Sequence, residues 1–432
     1  MATTKKLLII QVAGLGQAFA QRHGICCGGR PLRPLQAPFP AITCPVQAAF
    51  RTASPVAAHG VVANGRYDRV LRRTSFWEQS AAQVAGPRIW EAFRQQGGRV
   101  GLLFWQQSLG ERADLILSPA PIHKHHGGMV DDCYGKPAAL YPRLCQAVGR
   151  PFRLLRYWGP LASAASSQWI AEATAALLGM PDLAPELCLT YLPALDYDLQ
   201  RFGPDHPAAY RAAAALKQQL ALLETAAARA GYERLIFGDY AIAPCVASGV
   251  IYPNRLLREA GLLATRLVRG RHYPDFHESR AFALCDHEVA HVYVHAAEDL
   301  PAVQAKLAAL PGVAQVLDVA GQERLGLHHA QAGELLIVAE EGYWLAYPWW
   351  QRRAEAPDYA AHVDIHSKPG YDPCELFFGW PPGSVSQNPA RIRGSHGRTG
   401  PTRAVAWGST ALTEDVNDLI ALAARVQTWL SS

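Results

Sequence analysis

The sequence predicts an α/β protein in which a central, mostly parallel sheet lies between helices and carries a small α/β insertion. The first observation is the run Leu7–Val12, which is almost entirely apolar and leads into a glycine turn, as strands buried on both faces do. The second is the alternation of short apolar runs with Ala/Leu-rich segments of helical periodicity. The third is that Thr43, Asp196 and Asp239 follow predicted strands, where ligands bind in sheets of this class.

The predicted elements follow from these patterns along the chain. Helices are predicted over 48–54, 80–96, 166–178, 206–230, 300–310 and 416–430, and strands over 7–12, 100–104, 154–157, 187–192, 234–238, 315–318 and 334–339. The run His287–His295 is also strand-like and opens a strand–helix–strand–strand unit. We therefore divide the chain into a core (1–271), a small α/β insertion (272–345) and a return to the core (346–432).

The composition is that of a large globular chain. Its 432 residues, half of them hydrophobic, can bury a large core. The net charge is +5 and the pI about 8.7, but the 41 basic residues are scattered, which indicates solvated surface and argues against binding of a nucleic-acid duplex. No apolar run reaches the roughly 18 residues that a membrane span needs. Nothing in the sequence predicts an oligomeric state.

The cysteines and the N-terminus indicate a cytoplasmic protein. Nine cysteines, an odd number without C-x-x-C or other zinc spacing, fit reduced and mostly buried thiols. Lys5 and Lys6 followed by an apolar run imitate a short signal peptide. Gln11 interrupts that run, however, which favours the buried strand and a cytoplasmic location.

Thr43 is the candidate nucleophile. It lies in a Pro-flanked turn, F-P-A-I-T-C-P, and Asn64 follows in a Gly-rich loop. A threonine hydroxyl is a poor nucleophile at its normal pKa, so this chemistry requires a metal or a base beside it. Asn64 would donate hydrogen bonds to the charge that develops on the attacked group. The alternative is that Thr43 is an ordinary turn residue.

Other polar residues cluster in three places. His123, Lys124 and His125 lie in the loop 119–132, which could bind metal or phosphate or be simply solvated. His366 and Lys368 lie in a second loop, and His396 in a third.

The segment His287-Glu288-Val289-Ala290-His291 has the H-E-x-x-H pattern of zinc proteases. That chemistry needs both histidines on one helix face, whereas the composition here is that of a strand, so we do not predict a protease.

The segments 39–45 and 58–68 resemble the nucleophile region of the type I phosphodiesterase/nucleotide pyrophosphatase family of the alkaline phosphatase superfamily, F-P-x-x-T followed by H-G-I-x-x-N. The similarity covers nearly the whole chain: 193–204 resembles the family's loop P-D-x-x-G-H-x-x-G-P and is expected to be a loop here, Asp239-Tyr240 resembles its S-D-H-G-M, and 369–372 its H-G-Y-D. It implies an alkaline-phosphatase-like fold and a two-zinc centre. There the threonine, matched by Thr43, attacks phosphorus, and the asparagine, matched by Asn64, holds a phosphate oxygen.

The metal-ligand positions are where this chain departs from the family pattern. Asp196 and Asp239 match two ligands, and either His366 or His396 completes the set. Residues that differ from the pattern stand at the other ligand positions: Ala13, Gln200, Tyr240 and Pro369. The resemblance therefore implies a divalent metal, in the first place zinc, as one or two ions. Manganese and magnesium are alternatives because the retained ligands are acids.

The predicted function is that of a metal-assisted hydrolase or transferase acting on a phosphate ester, phosphodiester or pyrophosphate through Thr43. The expected partner is a small phosphorylated substrate, contacted by His123, Lys124, His125, Gln200, Tyr240 and Lys368. The alternative is a metal-poor, non-hydrolytic relative that binds an anionic metabolite or catalyses a different reaction in the same pocket. The sequence does not distinguish a monoester from a diester substrate.

Overall fold

A computed structural model describes residues 5–126 and 128–432. Its two principal sheets have eight and four strands. The strands are β1 (Leu7–Val12), β2 (Arg33–Leu35), β3 (Val100–Leu103), β4 (Leu115–Pro119), β5 (Cys133–Lys136), β6 (Leu187–Leu192), β7 (Glu233–Gly238), β8 (Ala281–Asp286), β9 (Val289–Val294), β10 (Val313–Leu317), β11 (Leu335–Ala339) and β12 (Val405–Ser409).

The eight-stranded sheet has the order β5-β4-β3-β6-β1-β7-β12-β2. The five strands from β4 to β7 in this order pair in parallel, whereas β5, β12 and β2 join by antiparallel pairing. The prediction of a mostly parallel central sheet is therefore confirmed. Every residue of β1 and β6 is buried, because parallel strands at the centre of such a sheet are covered on both faces.

Helices cover the sheet. They are α1 (Gln17–Arg22), α2 (Thr43–Thr52), α3 (Val56–His59), α4 (Glu91–Gln95), α5 (Leu140–Val148), α6 (Ala164–Leu178), α7 (Ala194–Phe202), α8 (Pro207–Arg229), α9 (Pro253–Glu259), α10 (Leu300–Ala308), α11 (Val319–Arg324) and α12 (Leu419–Ser431). The longest, α8, buries the predicted stripe that includes Leu216, Leu220, Leu223 and Ala227. None of the helices described is both long and apolar enough to cross a membrane.

Short ladders and 3₁₀ turns connect these elements. The ladders pair Cys26–Cys27 with Arg30–Pro31, Gly65–Asp68 with Arg73–Phe76, Ile122–His123 with Met129–Val130, Ala243–Pro244 with Gly394–Ser395, Val250–Ile251 with Trp344–Leu345, and Thr265–Val268 with Arg271–Pro274. The 3₁₀ turns are Ala81–Gln83, Leu154–Arg156, Ala297–Asp299, Arg353–Glu355, Asp358–Ala361, Pro373–Leu376, Pro389–Arg391 and Pro401–Arg403.

The four-stranded sheet has the order β8-β9-β11-β10 with antiparallel pairing throughout. It lies within the interval 272–345 predicted as an insertion and has a hydrophobic core that also includes Tyr67 and Phe76. The division of the chain at 271 and 345 stays a prediction. Two strands rather than one precede the helix α10, because β8 and β9 form a hairpin around a two-residue turn at His287 and Glu288.

Three predicted elements were wrong. The helix over 80–96 is interrupted, because Gly86 has φ +87° and the Pro87 that follows lacks the N–H that a helix interior requires. The segment 154–157 is a 3₁₀ turn rather than a strand. The supposed loop after β6 is the helix α7, in which the turn residues Gly203 and Pro204 lie only beyond the last turn.

Candidate active site

Thr43 is the first residue of helix α2. The residue before it, Ile42, is extended, with φ −137° and ψ 157°, so a helix N-terminus rather than the predicted turn carries the hydroxyl. Pro45 lies in the first helical turn, where its missing N–H costs no intrahelical bond. The Thr43 side chain is deeply buried, since the residue is only 4% exposed.

Tyr191, in strand β6, connects Thr43 with the two predicted metal-ligand acids. Burial raises the pKa of the Tyr191 phenol well above its usual value, and the charges of Asp239 and Asp196 raise it further. Contact with the side chain of Thr43 acts in the opposite direction. Asp196 and Asp239 follow strands β6 and β7, which pair with β1 on its two sides, so both carboxylates lie at the same end of the sheet and their charges act on this phenol.

Asn64 is fixed beside the start of α2 by its side-chain amide. Its Oδ1 accepts a hydrogen bond from the backbone N–H of Cys44 at 3.0 Å, and its Nδ2 donates to Asp286 Oδ1 at 3.2 Å. The backbone N–H of Asn64 donates to the other carboxylate oxygen, Asp286 Oδ2, at 2.7 Å. These contacts set the orientation of the amide, with one Nδ2 hydrogen left to donate elsewhere.

Asp196 and Gln200 share one face of helix α7 because they are four residues apart. Asp196 Oδ2 accepts a hydrogen bond from Gln200 Nε2 at 2.5 Å, and Asp196 Oδ1 accepts one from the Tyr240 phenol at 3.0 Å. Burial raises the pKa of Asp196 to about 7, although these two donors oppose the rise.

Asp239 follows strand β7 and is completely buried. Its Oδ1 accepts hydrogen bonds from the backbone N–H groups of Gly14 and Tyr240, each at 3.0 Å. Its Oδ2 accepts one from Gln11 Nε2, also at 3.0 Å. Burial raises the pKa of Asp239 to about 8. Both carboxylates thus have donors from the chain itself on each oxygen.

Of the two histidines left open as a third ligand, the structure brings His396 to this cluster. His396 Nε2 lies 3.9 Å from Asp196 Oδ1 and has no hydrogen-bond partner among the described residues. His396 Nδ1 bonds to the carbonyl oxygen of Ala41 at 2.9 Å, and this bond assigns the ring proton to Nδ1. Burial lowers the pKa of His396 to about 3.

The other predicted site residues lie elsewhere. His366 Nδ1 bonds to the carbonyl oxygen of Phe76, and its ring lies 6.5 Å from that of His123. Lys124 and His125 are exposed near the tip of a short hairpin. In the described part of the chain none of these four side chains hydrogen-bonds to Thr43 or to the two acids. Their assignment to metal or substrate stays a prediction.

Lys368 is engaged inside the protein. Its Nζ lies 2.7 Å from Asp372 Oδ2 and 2.6 Å from Glu375 Oε1, and its side chain is 1% exposed. Burial acts to lower the pKa of Lys368, but the two carboxylates outweigh it and hold that pKa above its usual value. The charge that we expected to meet a substrate is therefore already neutralised.

The tip of the β8–β9 hairpin reaches the site, which sequence reasoning missed. Besides Asp286, it contributes His287, whose ring lies 3.7 Å from that of His396 and 3.8 Å from that of Tyr371, measured between centroids. Glu288 accepts a hydrogen bond from Arg403 at 3.0 Å. The H-E-x-x-H pattern drew attention to this segment for a different chemistry, and no other local signal marked it.

A cleft of about 240 Å³ lies beside Asn64. Polar side chains line much of it: His59, Arg66, Ser75, Glu78, Gln83, Gln107, His329 and Gln331. Thr43 is not among the described residues that line this cleft. A ligand in this cleft would therefore contact Asn64.

The fold and the placement of these residues define an alkaline-phosphatase-like α/β protein. The model of one family, type I phosphodiesterase/nucleotide pyrophosphatase, matches residues 29–372, and the chain belongs to this family. Its members are phosphodiesterase- and pyrophosphatase-like hydrolases, typically dependent on divalent metal ions. None of the curated proteins compared with this chain matches it.

Solved structures share the fold at low sequence identity. Phosphonoacetate hydrolase from Sinorhizobium meliloti 1021, in complex with phosphonoformate, superposes with a TM-score of 0.63 at 18% identity, covering 99% of this chain and 96% of that one. Human ectonucleotide pyrophosphatase/phosphodiesterase 5 gives 0.61 at 13% identity, covering 99% and 95%. An inactive Thr-to-Ala variant of the murine protein of the same name, in complex with AMP, gives 0.57 at 15% identity with the same coverage.

The described residues do not fit a two-zinc centre. Ala13 has no ligand atom. The Gln200 amide and the Tyr240 hydroxyl already donate hydrogen bonds to Asp196. No group of three or more His, Cys, Asp or Glu side chains is arranged to hold a metal ion within residues 5–126 and 128–432. A catalytic zinc takes about three protein ligands. The residues present therefore do not support a metal-dependent step.

Proposed function

We propose that the chain hydrolyses a phosphate ester, phosphodiester or pyrophosphate of a small molecule through Thr43. The Thr43 oxygen forms a bond to phosphorus and the bond to the leaving oxygen breaks. The hydroxyl proton passes to a phosphoryl oxygen of the substrate, which serves as the base beside Thr43, and ends on the leaving group. Water then cleaves the phosphothreonine and restores the hydroxyl. The observation that carries this proposal is that Thr43 begins α2 while Asn64 is fixed beside the same helix end.

The electrostatics at this helix end support the proposal. The N-terminus of a helix carries partial positive charge and favours a phosphoryl group. At α2 this is an effect of the helix dipole more than of free donors, because the Cys44 N–H bonds to Asn64 and Pro45 has no N–H. Asn64 Nδ2 uses one hydrogen for Asp286, which leaves the second for an oxygen of that group. The inactive Thr-to-Ala variant among the structural neighbours, which binds AMP, supports a threonine-dependent reaction on a phosphorylated small molecule. The cleft beside Asn64 would take the organic part of the substrate.

A second candidate function is binding of a phosphorylated or other anionic metabolite without hydrolysis. The specific observation in its favour is that both oxygens of Asp196 and of Asp239 already accept hydrogen bonds from the chain. Metal ions supply much of the charge neutralisation in phosphoryl transfer. A site that keeps only neutral donors would hold an anion while stabilising the transition state less.

Three purified proteins test these candidates: the wild type, Thr43→Ser, and Thr43→Val, which keeps the shape of threonine without its hydroxyl. Turnover of bis-(para-nitrophenyl) phosphate, para-nitrophenyl phosphate and a dinucleoside pyrophosphate is measured, together with AMP binding by calorimetry. Hydrolysis through Thr43 predicts a loss of at least about 100-fold in kcat for Thr43→Val and a smaller loss for Thr43→Ser. Unchanged turnover in Thr43→Val would refute the nucleophile. AMP binding without turnover in all three proteins would establish the second candidate.

A further inference from the structure

Four aromatic rings form a continuous stack beside Asp196. Tyr240 and His396 lie parallel with centroids 3.4 Å apart, His396 and His287 follow at 3.7 Å, and His287 and Tyr371 at 3.8 Å. All four side chains are buried. The stack therefore fills the space immediately beside one retained acid with aromatic carbon and leaves little room for a hydrated ion.

Hydrogen bonds close this stack at both ends. The Tyr240 phenol donates to Asp196 Oδ1, and Gln200 Nε2 donates to Asp196 Oδ2. At the other end the Tyr371 phenol donates to Gln200 Oε1 at 3.1 Å. Gln200 and Tyr240, which replace two histidines of the family pattern, thus have defined partners. Their substitution is consistent with a rebuilt site rather than with a ligand set that was lost at random.

The hairpin tip is anchored on both sides of His287. Asp286 accepts two hydrogen bonds from Asn64, and Glu288 accepts one from Arg403 and one from the backbone N–H of Arg398. The backbone N–H of Glu288 also donates to the carbonyl oxygen of His396 at 2.9 Å. The position of the His287 ring in the stack is therefore fixed by its neighbours in sequence.

The Asp239 carboxylate also accepts hydrogen bonds on both oxygens, although it lies outside the stack. Gln11 Nε2, the Gly14 N–H and the Tyr240 N–H all donate to it. A metal ion at Asp239 would have to displace the buried Gln11 amide, whose Nε2 has no other hydrogen-bond acceptor among the described residues. Beside Asp196 the structure places one imidazole nitrogen, His396 Nε2 at 3.9 Å, and a carboxylate with one imidazole is fewer ligands than a catalytic zinc takes.

We propose that this chain has replaced the metal ions of its family by a metal-free centre, in which the ring stack and the amide donors hold Asp196 and Asp239. The location of the centre rests on the proposed function, but the metal claim does not depend on turnover. Phosphoryl ligands would meet Asn64 and the start of α2 without a resident divalent cation.

The test is the metal content and zinc affinity of the full chain, produced in zinc- and manganese-supplemented medium and dialysed without chelator. We expect far less than one ion per chain by mass spectrometry, and a melting temperature that neither EDTA nor added zinc changes. The triple variant Ala13→Asp/Gln200→His/Tyr240→His restores ligand types, and we expect it to bind zinc in competition with a chromogenic chelator. Ala13→Asn/Gln200→Asn/Tyr240→Phe is the control with the same positions changed.

One zinc or manganese ion per wild-type chain, lost in Asp196→Asn/Asp239→Asn, would overturn the proposal even if the triple variant failed to fold. Turnover without bound metal supports both this inference and the proposed function. Absence of both metal and turnover supports the inference and refutes hydrolysis on the substrates tried. Turnover that requires added metal would support the proposed hydrolysis and refute the metal-free centre.

Discussion

The side-chain amide of Asn64 and the carboxylate of Asp286 are hydrogen-bonded although 222 positions separate them in the chain. Asn64 bonds to the start of α2, whereas Asp286 ends strand β8 of the smaller sheet. The orientation of the candidate phosphoryl-binding amide is therefore determined in part by a residue of the smaller sheet.

A double-mutant cycle measures this link. Asn64→Ala and Asp286→Ala should show a coupling free energy of about 1–3 kcal/mol in urea unfolding, because each single change leaves the other buried group without its partner. The control pairs Asn64→Ala with Asp415→Ala, since Asp415 has an 89% exposed side chain on the surface. That pair should be additive within about 0.5 kcal/mol. Equal coupling in the two cycles would contradict the link.

The pKa of Asp286 predicts a pH dependence of stability. Burial raises this pKa from 3.8 to about 7, against the opposing hydrogen bonds from Asn64. Because the folded state binds the proton more tightly than the unfolded state, this stabilisation is complete below the unfolded-state pKa and is lost as the pH rises through 7. The free energy of unfolding of the wild type relative to Asp286→Asn should fall between about pH 4 and 7, by up to about 1.4 kcal/mol per unit, and level off above. A relative stability that increases with pH would show the opposite sign.

Replacement of Lys368 should affect folding rather than ligand binding. Lys368→Met leaves Asp372 and Glu375 buried without their cation, and we expect a loss of about 3–5 kcal/mol in the free energy of unfolding. Lys306→Met is the matched control, because Lys306 is exposed in α10. If Lys368 instead contacts the substrate, Lys368→Met will keep its stability and weaken AMP binding, which calorimetry on the same samples would detect.

The backbone at His287 has φ +60°, a left-handed conformation that costs an L-residue about 1–2 kcal/mol. Both His287→Ala and His287→Gly remove the ring from the stack, but glycine adopts this conformation without steric cost. We expect His287→Gly to be about 1 kcal/mol more stable than His287→Ala in urea unfolding. At His291, in strand β9, the same pair should have the reverse order. The same order at both positions would rule out the backbone explanation.

The sequence predicted the sheet best where burial on both faces leaves an uninterrupted apolar run. β1 and β6 begin and end at the predicted residues for this reason. Helix α7 was missed because Gly203 and Pro204, which terminate it, resemble the punctuation of a loop, and the family pattern at this place is itself a loop. Helix propensity predicted a helix over 80–96, but the positive φ of Gly86 and the missing N–H of Pro87 interrupt it.

The candidate site was only partly predictable. Thr43, Asn64, Asp196 and Asp239 could be named because each stands at a recognisable local position. In the structure Asn64 bonds to the start of α2, and Tyr240 donates hydrogen bonds to both Asp196 and Asp239. Asp286 and His287 could not be named. Their contacts depend on a hairpin that packs on the core from a distant part of the chain, and no local periodicity encodes such a contact.

The anchoring of the β8–β9 hairpin has a consequence for the unfolding of the protein. Asp286 and Glu288 hold buried contacts with Asn64, beside the start of α2, and with Arg403, just before β12. Unfolding of the smaller sheet alone would leave these polar groups without their partners. We therefore expect heat or urea to unfold both sheets in one cooperative transition, without earlier unfolding of the smaller sheet.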